Sequence, residues 1–169
     1  MMTITAHSCG LLVCVGAVLR CALGRGGVRR DKREGDGASP AGSFPLREIF
    51  YRADRVAPLT SALPARPLRE DHGWSDDSAD PAYNRLVTLP HTHRHERLWR
   101  EDNVYDLLVP LGYNDDPPVA GKGSAIFLHV ARPDYAPTDG CVALAVADLQ
   151  RILRVCQPGD RLRITPPPC

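Results

Sequence analysis

The amino-acid sequence predicts a mainly β fold of the α+β class with one short helix near the C-terminus. Sixteen prolines and fourteen glycines in 169 residues favour many turns and short strands over a helical bundle. Apolar runs of strand length recur between those turns. One segment, Asp148 to Cys156, places Leu149, Ile152, Leu153 and Cys156 at the spacing of a single helix face. The length suits one domain, residues 1–169, with room for a proper core. Apolar residues make up 43% and charged residues 24%, ordinary for a globular chain. The net charge of +1 gives no field that would select nucleic acid or an anionic membrane, and neither is expected as a partner.

The first element is expected in the apolar stretch Cys9 to Leu23. It is too short for a transmembrane helix and contains Gly10 and Gly16. No Lys or Arg precedes it and no small-x-small cleavage site follows, so it does not read as a clear signal peptide. A hairpin fits: Leu11 to Val15, a turn at Gly16-Ala17, then Val18 to Leu23. Residues 24–43 form a glycine-rich, mixed-charge loop ending in the turn Ser39-Pro40-Ala41-Gly42, where Pro fixes φ and Gly permits positive φ. Phe44 to Tyr51 is the next expected strand.

Residues 52–85 show little periodicity and read as irregular. Asp71 to Asp77 lacks the alternating ligands and terminal Glu of a calcium loop, so a surface loop with Trp74 tucked against the domain is expected. His91, His93 and His95 alternate at period two, which on a strand would put three imidazoles on one face, within reach of one ion. The segment follows Pro90, and a structural or surface cluster is expected, with no metal site. Tyr105 to Asn114 carries a strong strand signal, and Pro110 suggests an edge or a bulge. After the turn Asp115 to Pro118 comes the strand Ser124 to Val130. The helix is stopped by Pro158-Gly159, Arg161 to Thr165 alternates as a last strand, and Pro166 to Pro168 ends the fold.

The six cysteines, at 9, 14, 21, 141, 156 and 169, include no Cys-x-x-Cys unit, against zinc-knuckle and thioredoxin chemistry. Their pairing is open among 15 connectivities. Cys156 is expected to be buried and inert, and Cys169, the last residue, solvated. Cys141 stands apart. It follows a glycine in Thr138-Asp139-Gly140-Cys141-Val142, and His129 closes an apolar run twelve residues earlier. A histidine and a cysteine on neighbouring elements are the minimum equipment for thiolate acyl transfer. Helix formation near Ala145 to Asp148 would set a helix N-terminus close to Cys141 and favour its thiolate. Gly140 would let backbone approach substrate closely, and the Gly140 and Cys141 amides could serve an oxyanion. Asp139 could orient His129, cap the turn or meet a substrate amine, the turn role being favoured. Arg132, Tyr135, Tyr113 and Asn114 flank this region in sequence. Arg132 could clamp a carboxylate or form a surface ion pair.

Lys32-Arg33-Glu34-Gly35-Asp36-Gly37-Ala38-Ser39-Pro40-Ala41-Gly42-Ser43-Phe44 resembles the Lys-x-x-Gly-Asp-x-x-Thr-Pro-x-Gly-x-Phe signature of L,D-transpeptidase catalytic domains of the YkuD type. His129 to Cys141 is similar to that family's second signature, and the two occur in the family's order. The resemblance covers roughly residues 20–165. Asp139 stands where many members have a second His, Ala143 where many have Arg or Asn, and the His129–Cys141 loop is shorter than in the best-known members. The resemblance implies an L,D-transpeptidase-type β-sandwich with Cys141 as nucleophile and His129 as base. It implies Gly140 and Asp139 as support, Arg132, Tyr113 and Asn114 toward substrate, and no metal or organic cofactor. It implies peptidoglycan stem peptides as partners and acyl transfer forming a 3–3 cross-link. An L,D-carboxypeptidase or an inactive wall-binding domain are the alternatives. Work in the cell envelope or periplasm would follow from the family, while the lack of a clear signal leaves the cytoplasm open. Oligomeric state is not legible.

Overall fold

Strand formation starts before the expected hairpin. In the computed structural model, which describes residues 1–167, β1 (Thr3–His7) buries Ile4 and Ala6 and exposes alternate residues to the other side. The hairpin follows as β2 (Leu11–Cys14) and β3 (Ala17–Arg20). Its turn lies at Val15-Gly16, one residue earlier than expected, because both residues take positive φ as a tight hairpin turn requires. Within the 24–43 loop, β4 (Val28–Arg29) and β5 (Ser39–Pro40) pair in parallel.

The expected strand Phe44 to Tyr51 is two strands, β6 (Gly42–Pro45) and β7 (Ile49–Tyr51), which enter different sheets. The region read as irregular supplies β8 (Ala65–Pro67) and β9 (His72–Ser75), followed by β10 (Leu86–Thr88) and β11 (His95–Arg97). The chain continues through β12 (Leu107–Pro110), β13 (Phe127–Val130), β14 (Val142–Leu144), helix α1 (Val146–Val155) and β15 (Arg161–Thr165). The fold is mainly β with a single C-terminal helix among the described residues. Cys169 and the end of the Pro166–Pro168 stretch lie outside them. No helix of the described residues is long and apolar enough to cross a membrane.

Two five-stranded sheets make the sandwich, ordered β3-β2-β1-β15-β6 and β14-β13-β12-β7-β8. β1 and β15 pair in parallel, so the first and last strands of the chain lie side by side. The space between the sheets is filled by Ile4, Leu12, Leu162 and Ile164 from one and Leu107, Val109, Leu128, Val130, Val142 and Leu144 from the other. Leu149, Ile152, Leu153 and Cys156 of the helix region join this core, as their spacing predicts.

The second sheet is also covered on its far side. There Phe50, Leu108, Phe127 and Cys141 pack with Leu68, Leu98, Val104 and Tyr105, and Trp74 and Leu86 of the three-stranded β10-β9-β11 sheet rest against them. A strand buried on both faces gains from apolar residues at every position. This is why Leu107-Leu108-Val109 and Ile126-Phe127-Leu128 are continuous apolar runs rather than alternating ones. Pro110, read as an edge or bulge signal, sits instead on β12, the central strand. It is the strand's last residue, beyond the Leu107 and Leu108 pairs with β7, so its missing N–H costs no ladder bond there.

Leu162 is fully buried between the sheets and the helix. Leu162→Ala should lower unfolding free energy by ~2–5 kcal/mol, measured by urea denaturation. A loss under ~1 kcal/mol would mean that the two sheets and the helix do not share one tightly packed core.

Candidate active site

β13 and β14 run in parallel with Leu128 opposite Val142, His129 opposite Ala143 and Val130 opposite Leu144. Side chains alternate along a strand, so Leu128, Val130, Val142 and Leu144 point into the sandwich core. His129, Phe127, Ala143 and Cys141 therefore share the other face. His129 and Cys141 are diagonal neighbours across one strand pair, and both line a cavity of about 690 Å³. The eleven residues between them in sequence carry the crossover that brings the chain back parallel.

Cys141 is not placed at a helix N-terminus. The helix does begin at Val146, but the extended strand β14 intervenes and carries it roughly 15 Å farther on. Cys141 is buried, and burial first, then the charge of Glu96, pushes its thiol well above the ordinary range. The Phe127 amide donates to Cys141 Sγ at 3.3 Å, and Sγ–H donates to the Ala125 carbonyl at 3.2 Å. His129 is buried too. Burial lowers its pKa to about 4, so the imidazole is neutral near pH 7. Its Nδ1 lies 2.9 Å from the Val130 carbonyl, which can only accept, so Nδ1 carries the proton and Nε2 is left unprotonated. The Tyr105 ring meets the imidazole edge to face at 5.2 Å and also packs on Phe127. The resting site therefore holds a neutral thiol and a neutral imidazole rather than an ion pair.

Gly140 has φ 134°, and a Cβ there would lie 2.7 Å from the Ala38 carbonyl. Its smallness serves the close approach of the 24–43 loop, not of a substrate. Its amide donates to Thr138 Oγ1 at 3.1 Å, and Thr138 Oγ1–H donates to the Cys141 carbonyl at 2.7 Å. Thr138, not Asp139, thus holds the turn. Asp139 is exposed, paired with Arg25 and lines the cavity, with no bond to His129. Ala143 is buried on the cavity floor and bridges to Ala22 through both backbone groups.

The glycine-rich loop packs by backbone contact. A Cβ on Gly24 would strike the Gly37 carbonyl at 2.4 Å, and one on Gly26 the Asp36 carbonyl at 2.5 Å. Asp36 holds the loop by accepting from Lys32 Nζ, the Arg33 amide and the Ala38 amide. Lys32, Glu34, Gly35 and Gly37 reach the cavity wall.

Arg132 also lines the cavity, half exposed, with Asp102 at 3.4 Å. Tyr113 and Asn114 do not line it. Tyr113 packs edge to face on Phe44, and Asn114 closes the following loop through Val119 and Gly123. Tyr135 lies beneath the Arg20 guanidinium. Of the histidine trio only His95 is on a strand. The rings of His93 and His95 lie 5.8 and 5.9 Å from that of His91, and His91 Nε2 contacts Asp80 at 2.6 Å. Among the described residues no group of three His, Cys, Asp or Glu side chains is arranged to hold a metal ion.

These features match one family of known domains. The family model for the L,D-transpeptidase catalytic domain, YkuD, matches residues 13–164. The chain belongs to the YkuD family. No curated protein and no solved structure matches it. Membership brings L,D-transpeptidase-type catalysis in general and peptidoglycan as the material the family acts on. It also accounts for the two ordered motifs meeting at one cavity.

Sequence reasoning missed four groups at this site: the Phe127 amide, the Ala125 carbonyl, Tyr105 and Glu96. The two backbone groups carry no residue signature. Tyr105 was visible only as part of a strand signal, and Glu96 only as a neighbour of the histidines.

Two measurements test this geometry. Gly140→Ala should lose ~2–5 kcal/mol of stability through strain and the clash with Ala38. Gly16→Ala, with positive φ but open space, should lose only ~1–2 kcal/mol. Equal losses would contradict the loop contact. For His129, the folded pKa lies below the unfolded value. The unfolded chain then binds the extra proton first, and stability falls as pH drops from about 6.5 to about 4. This component is ~3 kcal/mol and should be missing from His129→Gln in denaturation midpoints taken across that pH range.

Proposed function

We propose that this protein performs cysteine-dependent acyl transfer on peptidoglycan stem peptides, with Cys141 as nucleophile and His129 as general base. The observation that carries this reading is the Cys141–His129 pair on one buried strand face, opening into one cavity, with the imidazole tautomer fixed by the Val130 carbonyl. A neutral thiol needs a base at the moment of attack, and His129 Nε2 is the unprotonated nitrogen able to serve. Sγ attacks the acyl carbon of the stem's third residue as its proton passes to Nε2. The Phe127 N–H, already directed at Sγ, stabilises the negative charge that develops there. The Cys141 amide is a better oxyanion donor than the Gly140 amide, which is engaged with Thr138. Collapse expels the terminal D-residue as an amine, protonated by His129, and leaves a thioester. Transfer to an amine of a second stem gives a cross-link and transfer to water gives a shortened stem. Because such stems lie outside the cytoplasmic membrane, the reading places the protein's work in the cell envelope.

Incubation with a disaccharide-tetrapeptide followed by intact-mass analysis should show an acyl adduct on Cys141. Cys141→Ala should abolish turnover in a folded protein, and His129→Ala should slow acylation by ~10²-fold or more. His91→Ala should leave the rate unchanged. Substantial turnover by a folded Cys141→Ala variant would overturn the reading.

A further inference from the structure

The cavity around Cys141 is lined by five cationic side chains, and each has a carboxylate partner. Arg25 pairs with Asp139, Lys32 with Asp36, Arg94 with Asp76, and Arg100 and Arg132 with Asp102. Two lining carboxylates differ: Glu34 and Glu96 take hydrogen bonds from hydroxyls rather than from cations. Glu34 is shared between Tyr83 and Ser124 through a single oxygen, on the wall formed by the 24–43 loop. Glu96 sits on β11, and its Oε1 accepts from Tyr105 at 2.6 Å. No donor among the described residues reaches its Oε2. Tyr105 in turn packs on His129, so the Glu96 carboxyl is tied through the Tyr105 ring to the face that carries His129 and Cys141.

We infer that Glu96 is the acceptor-subsite residue: it binds the ammonium group of an amine acyl acceptor beside the Cys141 thioester and so favours transfer to amines over transfer to water. This assignment rests on the acyl-transfer reading above. Five cations share four carboxylates, Arg100 and Arg132 both using Asp102, and Arg100 is the wall cation whose charge acts on Glu96. Glu96 nonetheless has no direct ion pair among the described residues and keeps one carboxylate oxygen for an incoming cation, which a partly buried carboxylate attracts more strongly than one in water. Geometry also sets the order of events. The Glu96 charge opposes a thiolate at Cys141, but once Cys141 is acylated that conflict is gone and the carboxylate faces a neutral thioester.

The step balances. The bound ammonium gives one proton to Glu96, whose proton affinity burial has raised, and becomes a nucleophilic amine. The amine nitrogen bonds to the thioester carbon, and the C–S bond breaks. The second nitrogen proton passes to His129 Nε2 and from there to the departing Sγ, restoring the thiol. Glu96 then releases its proton to solvent.

The test is Glu96→Gln, which keeps an oxygen to accept from Tyr105 but removes the charge. A preformed Cys141 thioester is partitioned between a diaminopimelate-containing stem as acceptor and water, and amide and hydrolysed products are quantified by mass spectrometry. The ratio of the two is independent of how fast the thioester formed. Glu96→Gln should lower the amide-to-hydrolysis ratio by ~10-fold and raise the acceptor concentration needed for half-maximal transfer. Glu96→Asp, which keeps the charge, should restore part of the ratio. An unchanged ratio in Glu96→Gln overturns the assignment, as does an equal loss of both products, which would mark a purely structural role. If wild-type Cys141 never forms a thioester with any stem peptide, the acyl-transfer reading itself fails and the assignment fails with it.

Discussion

Burial of both faces of strands β14, β13, β12 and β7 is the constraint on which the rest of this molecule depends. One face closes the sandwich against the N-terminal sheet and the helix. The other is roofed by the small β10-β9-β11 sheet, and that second roof makes a site possible. Without it, His129 and Cys141 would sit on a wet surface, the imidazole would titrate in its usual range, and the thiol would ionise on its own terms. With it, both are buried and neutral.

The glycine-rich loop solves a different problem. Strand β14 begins at the cavity floor, and the segment before it must turn sharply under the 24–43 loop. Gly24, Gly26 and Gly140 allow backbones to touch where any side chain would force them apart. Asp36 gathers three donors from its own loop, and Lys32 is buried with it. The two sequence motifs, nearly a hundred residues apart, are thus the two halves of one close contact. Their joint presence in a family signature follows from packing as much as from chemistry.

Much of this was legible beforehand. The final strand Arg161–Thr165 matches its predicted limits because one face is buried and its side chains alternate. The helix stands where Leu149, Ile152 and Leu153 required it. The hairpin was found one residue out of phase, since Val15 takes a conformation usually left to glycine or asparagine. The small roofing sheet was not legible. His72 to Ser75 contains one aromatic and no β-branched residue, and only its tertiary partners make it a strand. β14 was hidden for the opposite reason, lying so close to the helix that Cys141 read as its N-terminal neighbour. At the site, the His129 and Cys141 side chains that line one cavity were visible as residue types in order. Tyr113 and Asn114 were nearby in sequence but shape a loop away from the cavity. Glu96 was close in space through a strand pairing that no periodicity announced.

The shared burial of thiol and imidazole has a consequence for chemical durability. Peroxide and disulfide oxidants attack thiolates, and a sulfur held protonated by burial offers them almost none. A cysteine kept permanently ionised would be exposed to sulfenylation. Here Cys141 is held as the thiol, while Cys9, at the surface, meets solvent oxidants first.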